Sequence, residues 1–327
     1  SSDVCSSDLG SLKLTNYAKA SRLSFLLWNT TPDDLLLAAA EKGELDKSSG
    51  LKREVDRMIA SPRTDRGLRA FFKDFLDFPK FDTLEKDPVI YPVYGLRTTE
   101  DAKEQILRTA VDHLLVSNSD YRDLFTTRKT FITPSLARIY HVPTQFPDGG
   151  WSAYEFPEGD TRAGLLTQIG FVAANAHPGR SSPTLRGKAI RELLLCQKVP
   201  DPPGDVDFSL FNDPNSPNKT ARDRLTAHRT APSCAGCHKI TDPIGLALEQ
   251  FDGAGEFRTA ENGVQIDATG DLDGVTYADA VSLGKAMRGN PSVPSCLVNR
   301  MAAYAVGRAP SREDAPYIEY LEKGFAK

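Results

Sequence analysis

The chain has 327 residues, 40% of them hydrophobic, enough for two or three compact units with buried cores. A net charge of -4 and a pI near 5.8 leave no basic excess to meet a nucleic acid or an anionic membrane. No run, Leu23–Trp28 included, approaches the roughly 18 apolar residues of a membrane span, and no charged stretch followed by an apolar one marks a signal peptide.

Residues 1–10, SSDVCSSDLG, repeat Ser-Ser-Asp without apolar periodicity and read as a translated sequencing adapter. They are set aside with Cys5, and the natural chain is expected to begin further upstream. From Leu14 to about Ile139 the signals are helical. In TTPDDLLLAAAEKGEL, Thr31 is the expected N-cap, Pro32 the first helical residue and Gly43 the stop. Leu51, Val55, Met58 and Ile59 form one stripe, and Leu68, Phe71, Phe72, Phe75 and Leu76 a broader one, both of the kind that faces a core. A further amphipathic helix covers 101–116, followed by short helices capped by Ser119 or Asp120 and by Ser135.

The segment PTQFPDGGWSAYEFPEGD is rich in Gly, Pro and aromatic residues and reads as a connector, which puts a domain boundary there. Beyond it, TRAGLLTQIGFVAANA and KAIRELLLCQ read as helices separated by a loop, and the proline-rich VPDPPGDVDFSLFNDPNSPNKT as an extended wrap over a surface. Helix resumes near Thr220. Asn262-Gly263 between short alternating runs predicts a β-hairpin, and helices are expected over 277–287, over 295–307 and from about Arg312. Asp267, Asp271 and Asp273 lack the calcium-loop spacing and read as turn residues.

Of the five cysteines and five histidines, three fall within Cys234, Cys237 and His238. On a helix the two cysteines lie one turn apart with the histidine following. They can then form thioethers to one porphyrin while the imidazole reaches its iron. The second imidazole nitrogen needs an acceptor, which Asp242, Pro243 or a main-chain oxygen near them can supply. Structural zinc is the first alternative, with Cys196 and Cys296 completing four thiolates, although zinc ligands usually come as two close couples. A thioredoxin-like dithiol needs a preceding strand, and the stretch ARDRLTAHRT is polar and helical in pattern. Cysteines packed as small hydrophobes explain neither the spacing nor the histidine. For the iron's other side, His177 is the leading candidate and Met287 the weaker one, against readings as a loop histidine and a core methionine. His228 is a candidate hydrogen-bond donor to a propionate. Arg180, Arg186 and Arg258 are candidate propionate partners, each weighed against a solvated surface arginine.

The stretch SCAGCHKITDPIGLALEQFDGAGEFR resembles the cytochrome c-like domain of the planctomycete-type cytochrome family, exported multidomain proteins of unknown function. Upstream, ASRLSFLLWNTTPDDLLLAAAEKGEL and TFITPSLARIYHVP resemble the helical domain that precedes it, and AHPGRSSPTLRGKAIRELLLCQKVPDPP the start of the cytochrome domain. CLVNRMAAYAVGRAPSREDAP is similar to the short C-terminal helical domain. The resemblance implies haem attachment at Cys234 and Cys237, proximal ligation by His238, export to the periplasm or cell surface, and further N-terminal domains. It supplies no distal ligand, since Lys239-Ile240-Thr241 carries no methionine.

The resulting expectation is an all-α chain: a helical domain over 11–145, a cytochrome c-like haem domain with a small β-hairpin over 146–260, and a C-terminal hairpin and helical segment over 261–327. One covalent haem c, held with Pro243 and Arg258 beside it, implies one-electron exchange with a redox protein or small carrier. The alternatives are a haem oxidase or peroxidase with an open distal site, and a cell-surface scaffold carrying a haem domain. Once Cys234 and Cys237 serve the haem, Cys196 and Cys296 remain as an even pair, and an exported protein is expected to join them.

Overall fold

The computed structural model describes residues 13–143, 150–200, 217–228 and 232–325, without the side chains of 227, 228 and 232–234. The first ten residues and most of the proline-rich stretch lie outside the described residues. Helices dominate, and every sheet has two strands. The backbone divides into two units, at places other than the three expected segments. One takes the described residues up to Phe72 with Ala303–Arg308; the other takes Lys73–Ala302 and the described residues from Ala309 onward.

In the first unit, α1 (Asn16–Trp28), α2 (Asp34–Glu41) and α3 (Ser48–Ile59) enclose Ala20, Trp28, Leu36, Ala39, Ala40, Leu45 and Met58. The Trp28 indole N–H donates to the Met58 carbonyl at 2.9 Å, which satisfies its one polar atom inside the core. The N-cap of α2 is Asp33 rather than Thr31: its carboxylate accepts from the Leu36 amide and also pairs with Arg57, a contact threonine cannot make. Met58 is buried as the stripe requires, whereas Ile59 ends α3 and is exposed. The division after Phe72 falls within α4 (Thr64–Phe75), whose stripe is buried at Phe71 and Phe72 in the first unit and at Phe75 and Leu76 in the second.

In the second unit, α5 (Leu96–Val111) runs into a π-helical turn over Asp112–Val116. Two short strands follow, β1 (Lys129–Ile132) and β2 (Ser152–Glu155), paired antiparallel from Lys129 with Glu155 to Ile132 with Ser152. This sheet crosses the boundary expected at 145/146, and β2 lies inside the stretch that reads as a connector. Between the strands, α6 (Pro134–Tyr140) is capped by Thr133, not Ser135, whose hydroxyl is turned instead to the Asp101 carboxylate. The helix read over 161–176 is only α7 (Ile169–Ala174), preceded by a 3-10 turn at Leu165–Thr167. Then come α8 (Pro183–Ala189) with a π-helical extension over Ile190–Leu194, α9 (Ala221–His228) and α10 (Pro232–Leu246).

Asn262 and Gly263, both at positive φ, turn β3 (Ala260–Glu261) into β4 (Val264–Gln265) as expected. A second hairpin, β5 (Gly270–Leu272) and β6 (Val275–Tyr277), turns in the same way on Asp273-Gly274. Helices α11 (Ala280–Gly289), α12 (Ser292–Val306) and α13 (Ala315–Phe325) complete the chain. Cys196 and Cys296 form the expected disulfide, with Cα atoms 5.2 Å apart. It fastens the end of the π-helical extension to α12, where Arg300 also donates to the Glu192 carbonyl.

The tightest packing in this unit is between α8 and α10, which cross antiparallel. A Cβ on Gly187 would meet the Thr241 carbonyl oxygen at 1.9 Å, and one on Gly245 the Pro183 oxygen at 1.7 Å. Glycine is required at both positions because the obstructing atoms are main chain. Gly187→Ala is therefore expected to force the helices apart and lower stability by about 1–3 kcal/mol or more, read as an earlier urea midpoint. The disulfide closes a loop of sequence separation 100. Its loss in the Cys196→Ser, Cys296→Ser double variant is expected to cost on the order of 4 kcal/mol by the chain-entropy argument, measured by the same unfolding experiment.

Candidate functional site

Cys234, Cys237 and His238 lie on one helix, α10, whose first turns carry the motif and whose later turns pack on α8. The spacing puts Cys234 one turn from both Cys237 and His238. Cys237 is in no disulfide and is partly buried, and its sulfur lies 3.5 Å from the Pro200 carbonyl oxygen. His238 is mostly buried, and its Nδ1–H donates to the Asp242 carboxylate at 2.9 and 3.0 Å, one turn further along the same helix.

Asp242 has no solvent exposure. Its Oδ1 also accepts from the Thr184 hydroxyl at 3.0 Å and the Thr241 hydroxyl at 3.2 Å. A buried carboxylate needs such partners, and here two of the three come from the motif helix and one from α8 across the glycine contact. The single Thr241 hydroxyl proton is shared between Asp242 Oδ1 and the Cys237 carbonyl, 3.0 Å away, so the cysteine, the histidine and the aspartate belong to one cluster. Pro243 does not hold the imidazole: its carbonyl accepts from the Tyr277 hydroxyl at 2.8 Å. Pro243 lies inside α10 and lacks the amide that would continue the ladder. One turn earlier, the Ile240 carbonyl is taken by Arg191 Nε at 3.1 Å.

Of the three arginines read as propionate partners or solvated side chains, Arg186 and Arg258 are hydrogen-bonded into the frame. Arg186 is wholly buried, and its guanidinium donates to the carbonyls of Val172, Leu248, Phe251 and Asp252. Its counter-charge is Glu249, 3.4 Å away and also buried, whose carboxylate accepts from Ser181 at 2.7 Å and from Arg258 at 3.1 Å. Burial pushes the Glu249 carboxyl up, against the pull of both guanidiniums. Arg258 additionally donates to the Glu249 carbonyl and to Ser181. Arg180 is half-buried and depressed by burial, with Glu249 and Glu261 as its counter-charges.

His177 forms a two-residue bridge with Arg180, and its carbonyl accepts from Lys86. Burial, with Arg180 and Lys86 beside it, holds its imidazole below the usual range. Met287 is fully buried on α11, which packs on the Tyr121–Phe125 turn and β6. The side chain of His228 lies outside the described residues. The disulfide uses both sulfurs that a four-thiolate zinc site would require, so that alternative lacks half its ligands.

Two family models match the chain. Residues 14–142 match PSD4, described as a protein of unknown function (DUF1592), and residues 162–261 match PSCyt3, likewise of unknown function (DUF1588). Their order follows the planctomycete-type cytochrome resemblance, and the second match takes in the whole motif helix and its cluster. No curated protein and no solved structure matches the chain. Among the described residues no helix is long and apolar enough to cross a membrane.

Thr184, Arg162 and Lys86 carried no sequence signal. Arg162 is buried, donates to the Thr167 and Gly255 carbonyls, and lies 4.5 Å from the ring centres of Tyr140 and Phe251; burial brings it down to about 10. Lys86 donates to the Ala173 carbonyl at 2.9 Å at the end of α7, and burial, with Arg186 nearby, brings its ammonium down to about 7. Between about pH 7 and its unfolded value of 10.5 the unfolded chain holds a proton that the folded chain does not, so stability contributed by this group rises with pH across that window. Lys86→Met is expected to remove this slope. The stability difference, wild type minus variant, should therefore increase from pH 6 to pH 9 in paired urea titrations, by on the order of a few kcal/mol.

Proposed function

We propose that the chain is a c-type cytochrome module of an exported multidomain protein, holding one haem c through Cys234 and Cys237 with His238 as the proximal ligand. The observation that carries this reading is the engagement of His238 Nδ1 by a buried carboxylate on the same helix as the cysteines, which leaves the other ring nitrogen as the one that would ligate in this reading. The residues fit the group: the cysteines are one turn apart, Cys237 is in no disulfide, and the Asp242 carboxylate fixes the orientation of the histidine ring. The match of residues 162–261 to PSCyt3, a family of unknown function related to cytochromes, is consistent with the same reading, and the disulfide fits an oxidising compartment.

When bound, the haem supplies a one-electron couple. The chain's part is to attach it through two sulfurs, orient the proximal imidazole and keep Asp242 away from water. Its partners are a redox protein or a small electron carrier. Expression with c-type maturation machinery tests the reading: haem absorbance is expected to stay with the polypeptide after denaturation. Cys237→Ser should weaken that retention, and His238→Ala should keep the covalent haem but lose the low-spin spectrum. A denatured wild-type chain without haem would overturn the proposal.

A further inference from the structure

We infer that Asp242 is an electronic positioning residue: a carboxylate, in place of a main-chain carbonyl, holds His238 Nδ1–H and biases an iron on His238 Nε2 towards its ferric state. The inference rests on the haem reading above. It is argued from the same geometry, the 2.9 Å contact to a carboxylate with no solvent exposure. A charged acceptor draws the Nδ1 proton more strongly than a neutral carbonyl does, and the imidazole gains anionic character and donates more strongly through its other nitrogen. The effect is larger where water is excluded, because the interaction is less screened. The ferric ion carries one more positive charge than the ferrous ion and gains more from such a ligand.

The hydroxyls set the strength of this bias. Thr184 donates to Oδ1, Thr241 shares its one proton between Oδ1 and the Cys237 carbonyl, and each bond to Oδ1 draws negative charge away from the imidazole. Thr184 belongs to α8, and the contacts at Gly187 and Gly245 keep it within reach of Asp242. The two side chains therefore act in opposite directions: Asp242 favours the ferric state, and Thr184 moderates it. A role confined to packing would not produce that opposition.

The test is an optical redox titration of the haem-loaded full chain, in which ferric haem takes one electron from a mediator to give ferrous haem without a coupled proton. In Asp242→Asn, the ferrous-to-ferric ratio at the wild-type midpoint is expected to rise about tenfold, equivalent to about 59 mV for one electron. In Thr184→Val the ratio is expected to fall. If the asparagine variant does not fold, the direction of the Thr184→Val shift decides. Covalent haem with an unmoved ratio, or a rise in Thr184→Val, overturns this inference alone. A wild-type chain that attaches no haem overturns the underlying reading together with it.

Discussion

The second unit is organised around one buried cation. Arg186 sits on α8 with no solvent exposure and donates to four main-chain carbonyls, one at the end of α7 and three in the turn after α10. Taking a guanidinium out of water is costly, and one carboxylate at 3.4 Å does not offset that alone. The carbonyls make up the difference: Val172 lies in α7, and Leu248, Phe251 and Asp252 lie in the irregular turn beyond α10, where buried main-chain oxygens need donors. A side chain in the core thus ties α7 to the turn beyond α10, although the Leu248 carbonyl also accepts from the Phe251 amide at 3.0 Å.

The site inherits its geometry from that arrangement. Because Arg186 anchors the turn following α10 to α8, the two helices are held where only glycine fits between them, at residues 187 and 245. Close approach brings Thr184 within 3.0 Å of Asp242, and Asp242 in turn orients His238. On the far side, Arg191 and Tyr277 hold the carbonyls of Ile240 and Pro243, which flank the aspartate. The motif helix is therefore fixed along its second half, while the cysteines lie on its first turns.

How far the sequence exposed this follows from the range of each interaction. The motif, the hairpin at Asn262-Gly263 and the aromatic stripe of α4 are local signals, and all three were legible because spacing alone encodes them. The disulfide was legible by counting, once two cysteines had been assigned to the motif. The strand pair β1–β2 was not, because each strand has four residues and β2 sits among Gly, Pro and aromatic residues that mark turns. Asp273-Gly274 carried the same turn chemistry as the hairpin at 262–263, and was read as a turn without its strands.

Arg186, Arg162 and Lys86 show where sequence reading ends for a physical reason. Composition makes a buried cation the exception, so each was assigned to the surface, to a propionate or to nothing. Burial of such groups depends on carbonyls contributed from distant points in the chain, and main-chain oxygens carry no residue identity. Arg186 meets partners 62 to 66 positions away, and Lys86 one 87 positions away. The pattern shared by these cations is that each serves a helix end or a tight turn, where irregular backbone would otherwise be buried unsatisfied. Asp242 follows the same logic with the opposite sign. It is a charge made tolerable by donors from two helices, and the imidazole is one of them. Structural and chemical roles therefore fall on the same carboxylate: the groups that let Asp242 be buried also determine how much of its charge reaches His238.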